Sequence, residues 1–501
     1  MKATTAVLSS LVLFYLPLNA FLPAWSQYVI ARRCDAMQVQ SPSLQCTDAA
    51  VSASAAQWDN YVMQACNVPG FFVSLLFGEL ADRLGRRPLL LFNLTTQCVG
   101  AMGLFLNILL HWPLWTIVPT FVINGIGGGS FTFGGLAMAV VADCTPPQGG
   151  ERARLISFLT GLTFLCSAAG PLLGGYVVQF FGQELAAPGA GGNFFVIFAL
   201  FFATNIAALV VVVFGYQETL VVAPGAQPST LRGVWLEQSA WRLWARPAVQ
   251  AWRSRPLRQL SASYALYYAA LMSFRTIATF FAKKAPYDYG PEAIGWLVAL
   301  QGIVRALAIL ALLPLWLHMR SSANLTRHAT PGGGNAMLLQ AMRFGLVWGV
   351  LTILALAASV RTGGGAVLFT LTAAQGIDGI CDATARPLFS ALAPAGHSVG
   401  GSQGSVFGLV VWLQLVTAVL APLIFNNIYS ATVGSSCPTC TFYALAIVVA
   451  CSLALTWQLD VNAKDGEPSS RVAAPSSAST ALLADQEKMG EASRAVGHDA
   501  A

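Results

Sequence analysis

Charged side chains are scarce in this sequence. Asp, Glu, Lys and Arg together make up 10% of the 501 residues, whereas hydrophobic residues make up 56%. Soluble proteins carry about 25% charged residues, so a chain of this composition cannot cover a surface that faces water. This excludes an ordinary soluble enzyme, a coiled coil and a disordered protein. The formal net charge is only +6, and we expect no binding to nucleic acid.

Motifs for catalysis and for nucleotide binding are also missing. The sequence contains no P-loop, no dinucleotide-binding fingerprint and no nucleophile elbow in a suitable context. None of its five histidines stands at metal-ligand spacing from a cysteine or a carboxylate. We therefore expect no cofactor and no metal, and we expect neither an enzyme nor an ATP-driven pump.

Hydrophobic stretches, by contrast, fill most of the chain. A helix that crosses a membrane needs about 20 predominantly apolar residues, and twelve stretches of the sequence meet that need. They occupy approximately residues 5–23, 59–78, 89–110, 114–141, 155–181, 194–214, 259–282, 293–317, 340–360, 365–385, 403–428 and 441–459. This pattern predicts an all-α membrane protein with twelve transmembrane helices. The first stretch also has the features of a signal peptide, whose removal would leave eleven spans.

The basic residues and the longest interruption predict the topology and the domains. With the N-terminus inside, the inner loops and tails hold 20 of the 27 Lys and Arg residues, counting Arg343 at the inner end of the ninth span. The positive-inside rule then places both termini in the cytoplasm. One six-helix bundle is expected over residues 1–214 and a second over 259–459. The linker 215–258 mixes Arg with Trp, so it either lies on anionic lipid or is a solvated loop. The polar tail 460–501 is expected to be disordered.

The segment between the second and third spans, residues 78–87, reads GELADRLGRR. Gly78 allows two helices to approach, Asp82 is suited to capping the N-terminus of a neighbouring helix, and Gly85 permits a tight turn. Its arginines offer forked donors to carboxylates. We predict that this latch segment joins two helix bundles on one face of the membrane and releases them during a conformational cycle. The residues assigned to it are Gly78, Asp82, Arg83, Gly85, Arg86 and Arg87.

This order of residues, in this place, resembles the signature loop of the major facilitator superfamily. The resemblance covers all the predicted spans and implies two six-helix bundles that rock about a site at the membrane midplane. In span five, the residues Gly170, Pro171, Gly174 and Gly175 resemble the superfamily's Gly-Pro motif and are predicted to pack helices. Pro422 in span eleven repeats Pro171 after 251 residues, as a parallel repeat of six spans predicts.

Other motifs resemble the proton-coupled folate transporter branch and its fungal-type relatives. These motifs are VAD at 141–143, QETL at 217–220 and IFNNIYSAT at 424–432. That branch carries an arginine, a glutamate and a histidine where Asn124, Thr160 and Arg275 stand in this chain. Because those three positions are associated with proton coupling and substrate handling, the resemblance leaves the substrate open.

Charged residues inside the spans indicate a candidate site for the solute and for protons. Asp378, Asp382 and Arg386 recur at i, i+4 and i+8 in span ten, so a continuous helix places them along one face. The two carboxylates repel each other, which favours protonation of one of them and suits a reversible proton carrier. Arg275 and Arg305 are predicted to face the cavity between the bundles, since an arginine in lipid is costly, and they favour an anionic solute. The alternative is a buried charge network that only holds helices together.

Four of the ten cysteines fall in predicted outer loops, where an oxidising environment favours disulfides. These are Cys34, Cys46, Cys437 and Cys440.

Together these features predict a secondary active transporter of a small organic solute that works by alternating access and is coupled to protons. Its partners would be the solute, protons and membrane lipid, and its location would be the plasma membrane or a vacuolar or other organelle membrane. The alternatives are a multidrug or tetracycline-type proton antiporter and a nutrient sensor that binds its ligand without transporting it.

Overall fold

The computed structural model describes most of the chain up to Leu459. The described residues are 3–39, 49–146, 150–182, 192–220, 245, 247–249, 252, 254–282, 291–324, 333–359, 364–392, 403–432 and 439–459. The predicted tail 460–501 and most of the predicted linker 215–258 therefore lie outside the described residues. Met1–Leu459 forms one compact unit.

The architecture of the described residues is all-α, as predicted. The helices of the N-terminal half are α1 (Ala3–Gln38), α2 (Ala49–Leu84), α3 (Arg86–Leu109), α4a (Ile117–Ile126), α4b (Gly129–Asp143), α5 (Gly150–Gly182) and α6 (Gly192–Gly215). Those of the C-terminal half are α7 (Arg255–Ala282), α8a (Pro291–Leu307), α8b (Leu313–Asn324), α9 (Gly333–Ser359), α10a (Gly365–Gln375), α10b (Ile380–Ala391), α11 (Gln403–Thr432) and α12 (Cys440–Trp457).

Ten helices of the described chain are long and apolar enough to cross a membrane. The two other predicted spans correspond to α7 and to α10. Helix α7 contains three arginines together with several Ser and Tyr side chains, which lower its hydropathy. Helix α10 is divided into two short parts by a 3₁₀ turn, Gly376–Gly379, so neither part alone has the length of a span.

Large apolar side chains cover the outside of the helices. Phe72, Phe214, Trp296 and Ile447 are each more than half exposed. So many exposed large apolar side chains are unusual for a soluble protein, and lipid is the solvent that suits them. Most interior contacts are apolar too, as in the cluster of Phe14, Phe133 and their neighbours inside the N-terminal half.

The helices pack within each half and then across the two halves. Helix α1 packs against α5 and α6, and α7 packs against α11 and α12. Across the halves, α2 packs against α11, and α5 packs against α8a and α10b. Because α1 supplies buried residues such as Leu11 and Phe14 to the core, the first span is part of the folded molecule.

Several predicted boundaries are wrong. Helix α1 ends only at Gln38, and helix α2 already begins at Ala49. Both helices therefore extend well into the segment predicted as an outer loop. The latch segment, also predicted as a loop, is nearly all helical, because α2 ends at Leu84 and α3 begins at Arg86. Gly85 alone separates the two helices, at a φ of 105° that favours glycine.

Candidate functional site

Helices α4 and α10 are interrupted at matching places in the two halves. Helix α4 is interrupted between α4a and α4b, where Gly128 and Gly129 have φ values of 88° and 65°. Helix α10 is interrupted by the 3₁₀ turn that contains Asp378. The offset of 251 residues that relates Pro171 to Pro422 also relates Gly127 to Asp378. Interrupted helices in corresponding positions of the two halves are typical of transporter binding sites.

The predictions for spans four and ten therefore need correction. Each was predicted as one continuous helix. Gly125 does pack closely, since a Cβ there would lie 2.3 Å from the carbonyl oxygen of Cys66. Gly128 and Gly129 instead turn the chain, and the Asn93 amide nitrogen donates to the carbonyl oxygens of Gly127 (2.6 Å) and Gly129 (3.0 Å).

The first charged pair lies at the break in α10. Arg305 Nη2 is 2.9 Å from Oδ1 of Asp378, and both residues are buried. The amide of Gln375 donates to the other carboxylate oxygen at 2.8 Å, and Thr352 donates in turn to Gln375. Gly379 makes room for the pair, because a Cβ there would lie 2.3 Å from Cγ of Arg305.

The second charged pair lies one turn further along. Arg386 Nη2 is 2.7 Å from Oδ2 of Asp382, and its Nε donates to Oδ1 at 3.0 Å. Asp382 has no solvent exposure. Tyr264 of α7 donates to Oδ1 of Asp382 at 2.7 Å, and the Gln414 amide of α11 donates to the Tyr264 oxygen at 2.8 Å. Helices α7, α10b and α11 therefore meet at one carboxylate.

Both pairs reach the other half of the molecule. The guanidinium of Arg305 lies 5.1 Å from the ring centroid of Phe164 in α5. Arg386 Nη1 lies 3.4 Å from the sulfur of Met138 in α4b. These contacts place the two arginines at the boundary between the halves, where relative movement of the halves would change their surroundings.

The five charged residues predicted for this site are thus arranged as two ion pairs and one further arginine. Asp378 and Asp382 do not share one continuous helical face, because Asp378 lies in the 3₁₀ turn and has its own arginine. The side chain of Arg275 is exposed, and its charge interacts with that of Arg305. Tyr264, Gln375 and Gln414 were not predicted, since a Tyr or Gln inside a span has no distinctive spacing.

The latch segment joins the two halves at one end of the molecule. Oδ1 and Oδ2 of Asp82 accept the backbone N–H groups of Gly404 (2.8 Å) and Ser405 (2.7 Å) in the first turn of α11. Ser405 Oγ also donates to Asp82 and to Glu79. Negative charge at a helix N-terminus is favourable, so Asp82 caps a helix of the opposite half.

The arginines of the latch segment bind carboxylates of the N-terminal half. Arg86 has no exposure and makes ion pairs of 2.8 Å with Asp82 and with Asp143 at the end of α4b. Arg83 pairs with Glu79 at 3.0 Å. Arg87 instead donates from Nη2 to the carbonyl oxygen of Val213.

Glu218 is a further member of this cluster. Its carboxylate accepts the backbone N–H groups of Arg86 and Arg87, both at 2.9 Å, and so caps α3. Nearby, Tyr216 bonds Thr219 at 2.9 Å, and burial raises the pKa of its phenol. The sequence signals were the QETL motif and, for Asp143, the VAD motif, which suggested a resemblance without a role.

Glycines set how closely the halves approach at the latch. A Cβ on Gly78 would lie 2.5 Å from the carbonyl oxygen of Gly404 and 2.9 Å from Cα of Gly408. Gly404 and Gly408 are equally restricted from the other side. The contact between α2 and α11 thus depends on three glycines that face each other.

The Gly-Pro motif of α5 packs against α1, but only two of the three glycines predicted to pack make the contact. A Cβ on Gly170 would lie 2.6 Å from Cβ of Asn19, and one on Gly174 would lie 2.1 Å from the carbonyl oxygen of Ala20. Pro171 lies inside α5. Gly175 has nothing within 4 Å of a Cβ, so its assignment as a packing residue is wrong: it faces away from α1.

Two of the four cysteines predicted to form disulfides lie within the described residues. Cys34 and Cys440 are disulfide-bonded, whereas Cys46 and Cys437 lie outside the described residues. Cys34 lies on α1 and Cys440 begins α12, so neither is in a loop as predicted.

Comparisons with known proteins agree with this architecture. Residues 7–326 match the family model described as Major Facilitator Superfamily. The chain is 25% identical to the class B tetracycline resistance protein of Escherichia coli over 359 residues, which cover 70% of this chain and 74% of that protein. These matches do not confirm the resemblance to the folate transporter branch.

Solved structures show the same fold. The human organic anion transporter MFSD10 (TETRAN) matches with a TM-score of 0.65 at 17% identity, covering 91% of this chain and 98% of that one. A variant of the Escherichia coli fucose:proton symporter FucP matches with a TM-score of 0.61 at 10% identity, again covering 91% and 98%.

Proposed function

This chain belongs to the Major Facilitator Superfamily, and from that premise we propose that it is a proton-coupled secondary transporter of a small organic solute. The observation that carries the proposal is the pair of Asp382 and Arg386. Asp382 is fully buried, pairs with Arg386 at 2.7 Å and accepts a bond from α7, while Arg386 contacts α4b of the other half.

A proton on Asp382 would remove its charge and free Arg386 for another anion. In the proposed cycle, Arg386 alternates between the carboxylate and the solute, so that proton binding and solute binding are linked. Asp378 and Arg305 form a second pair at the same break in α10, and they either titrate in the same way or hold α8 against α10. Linkage of this kind requires each ligand to bind with different affinity to the paired and to the released state of Arg386.

The balance of charge supports an anionic solute. Arg305 and Arg386 each pair with a carboxylate, and Arg275 lies close enough to Arg305 for their charges to interact. When a proton neutralises Asp382, the positive charge of Arg386 would attract an anion into a region of low dielectric. We also propose that the latch segment controls the conformational cycle and does not bind the solute. In this proposal the latch segment and both chain termini face the cytoplasm, and the protein lies in the plasma membrane or an organelle membrane.

Reconstitution into vesicles tests the proposal. Uptake of radiolabelled organic acids, sugars and tetracycline would be measured with and without a pH gradient, for the wild type and for Asp382→Asn, with Glu151→Gln as an exposed control. We expect pH-driven accumulation to be lost in Asp382→Asn while solute exchange without net proton movement persists. Unchanged pH dependence in both Asp382→Asn and Asp378→Asn would remove the α10 pairs from coupling.

A tetracycline-type antiporter is the second candidate. The match to the class B tetracycline resistance protein favours it, and proton-driven extrusion of tetracycline in the same vesicles would establish it. A nutrient sensor, the remaining alternative, would bind solute without moving it.

A further inference from the structure

The break in α4 exposes the start of a helix inside the molecule. Helix α4b begins at Gly129, and no side chain caps its N-terminus. The first N–H groups of a helix have no acceptor within the helix, and the helix dipole adds partial positive charge at this point. The start of α4b, where Gly128 and Gly129 are buried, therefore offers several donors and a positive potential.

Two backbone acceptors at this break already have a partner. The carbonyl oxygens of Gly127 and Gly129 both accept bonds from the amide nitrogen of Asn93. The backbone groups left over at the start of α4b are donors, which favour a ligand that accepts hydrogen bonds.

Side chains at the break are also unsatisfied, although they are buried. Thr132 Oγ1, Gln97 Nε2 and Asn93 Oδ1 have no hydrogen-bond partner among the described residues, and all three residues are at most 4% exposed. The Thr132 hydroxyl points at the start of α4b, because a Cβ on Gly128 would lie 2.5 Å from it. Gln97 adjoins the other side of the break through its bond to Asn124. Buried groups of this kind are costly unless something binds them.

The other half shows what occupies the corresponding place. Helix α10b carries Asp382 in its first turn, and Asp378 lies in the turn before it. Helix α4b has no acidic residue in its first turn. The 251-residue offset that relates the halves takes Gly127 to Asp378 and Phe131 to Asp382. The C-terminal half thus supplies its own carboxylates at its helix break, and the N-terminal half does not.

We propose that the break in α4 binds a carboxylate of the transported solute, which is therefore a small organic acid. This inference rests on the transport function proposed above. The N–H groups at the start of α4b and the Thr132 hydroxyl donate to the carboxylate. Gln97 donates from its amide nitrogen, and Asn93 Oδ1 accepts a hydroxyl group of the solute.

The surroundings of the break favour an acid with an aromatic or apolar body. Phe131 makes an edge contact of 6.5 Å with Tyr268 of α7, and Tyr268 is close enough to Asp382 and Arg386 to interact with both charges. The carboxylate at α4 and the ion pairs at α10 would then bind opposite ends of one solute. A narrow cavity between α2, α4b and α11 borders Thr132 and faces Ser74 and Val411, so separation of the halves would open the site.

Binding to the purified full-length protein in detergent tests this assignment. The probes are benzoate and mandelate, with benzamide and mandelamide as neutral counterparts, and the readout is the ligand-dependent rise in Tm, from which a Kd is obtained. We expect the acids to bind and the amides to fail. In Thr132→Val the Kd of the acids should rise about tenfold, as for the loss of one hydrogen bond to a charged group, while the Tm without ligand is maintained.

Two variants control for damage to the fold. In Thr120→Val the lost hydroxyl bonds only the carbonyl oxygen of Ile117 in its own helix, so the Kd should stay at the wild-type value. Gln97→Leu provides a second test of the same break and should also weaken the acids. Amides that bind as well as the acids, no binding of either acid to the wild type, or wild-type Kd values in both Thr132→Val and Gln97→Leu would overturn the proposal. Proton-coupled transport of a neutral solute would overturn the carboxylate site and leave the proposed transport function standing.

Discussion

The phenol of Tyr264 donates a 2.7 Å hydrogen bond to the carboxylate of Asp382, although 118 positions separate the two residues in the chain. The bond connects the first helix of the C-terminal half to the helix that carries both acidic residues of the site. In the proposed cycle it holds the charged form of Asp382 in place. Removing the phenol oxygen should therefore weaken the coupling of solute transport to protons.

We expect Tyr264→Phe to reduce proton-driven accumulation about tenfold, which corresponds to about 1.4 kcal/mol. The variant also leaves the Gln414 amide without its acceptor, so the free energy of unfolding should fall by about 1–3 kcal/mol. Tyr267→Phe is the matched control, because Tyr267 is equally buried but bonds the backbone carbonyl of Asp378 rather than a carboxylate. It should lose stability and retain coupling. Vesicle uptake and thermal unfolding measure the two effects, and equal loss of coupling in both variants would contradict the assignment.

The pair of Arg305 and Asp378 should behave as a buried unit. Removing one partner leaves an uncompensated buried charge, which costs about 3–5 kcal/mol. We expect Arg305→Gln and Asp378→Asn each to lower Tm clearly, and the double variant to be more stable than either single variant. Thermal unfolding in detergent gives the comparison as a double-mutant cycle. Additive losses would mean that the 2.9 Å contact contributes no coupling energy.

The all-α architecture and the position of most spans could be predicted from the sequence, because lipid requires long apolar helices. The latch segment could be found because its glycines and charges follow a fixed order. The helix breaks could not be predicted, because a glycine such as Gly128 in an apolar span looks the same in the sequence whether it packs against a helix or turns the chain. The partners of Asp378 and Asp382 come from other helices, and a spacing within span ten holds no information about Arg305 or Tyr264.

The cap that Asp82 forms on α11 should control the rate of the cycle. Asp82→Asn keeps the side-chain shape but replaces one acceptor oxygen by a donor, which cannot accept the N–H of Gly404 or Ser405. We expect the maximal transport rate to fall about tenfold and the KM for the solute to change little, because Asp82 bonds the backbone of α11 and no residue at either helix break. Glu151→Gln, a change at an exposed acid, should leave the rate unaltered. A large rise in the solute Kd with a normal rate would contradict this role.

Gly78 should limit how closely the two halves can approach. In Gly78→Ala the new Cβ would meet backbone atoms of Gly404 and Gly408 at 2.5 and 2.9 Å, and backbone of a packed helix cannot move aside as a flexible side chain does. The closed contact between α2 and α11 should then be replaced by a separated state.

A cysteine at position 74 would measure this separation. Ser74 is 1% exposed beside the contact, so a cysteine placed there should react slowly with a polar thiol reagent while the contact is closed. We expect its labelling, followed by mass spectrometry of the peptide, to accelerate about tenfold when Gly78→Ala is added, which corresponds to a shift of about 1.4 kcal/mol between the two states. Gly175→Ala is the matched control, because its Cβ would meet nothing within 4 Å, and labelling at position 74 should stay slow. Slow labelling together with wild-type transport in Gly78→Ala would mean that α2 and α11 adjust to the extra methyl group without separating.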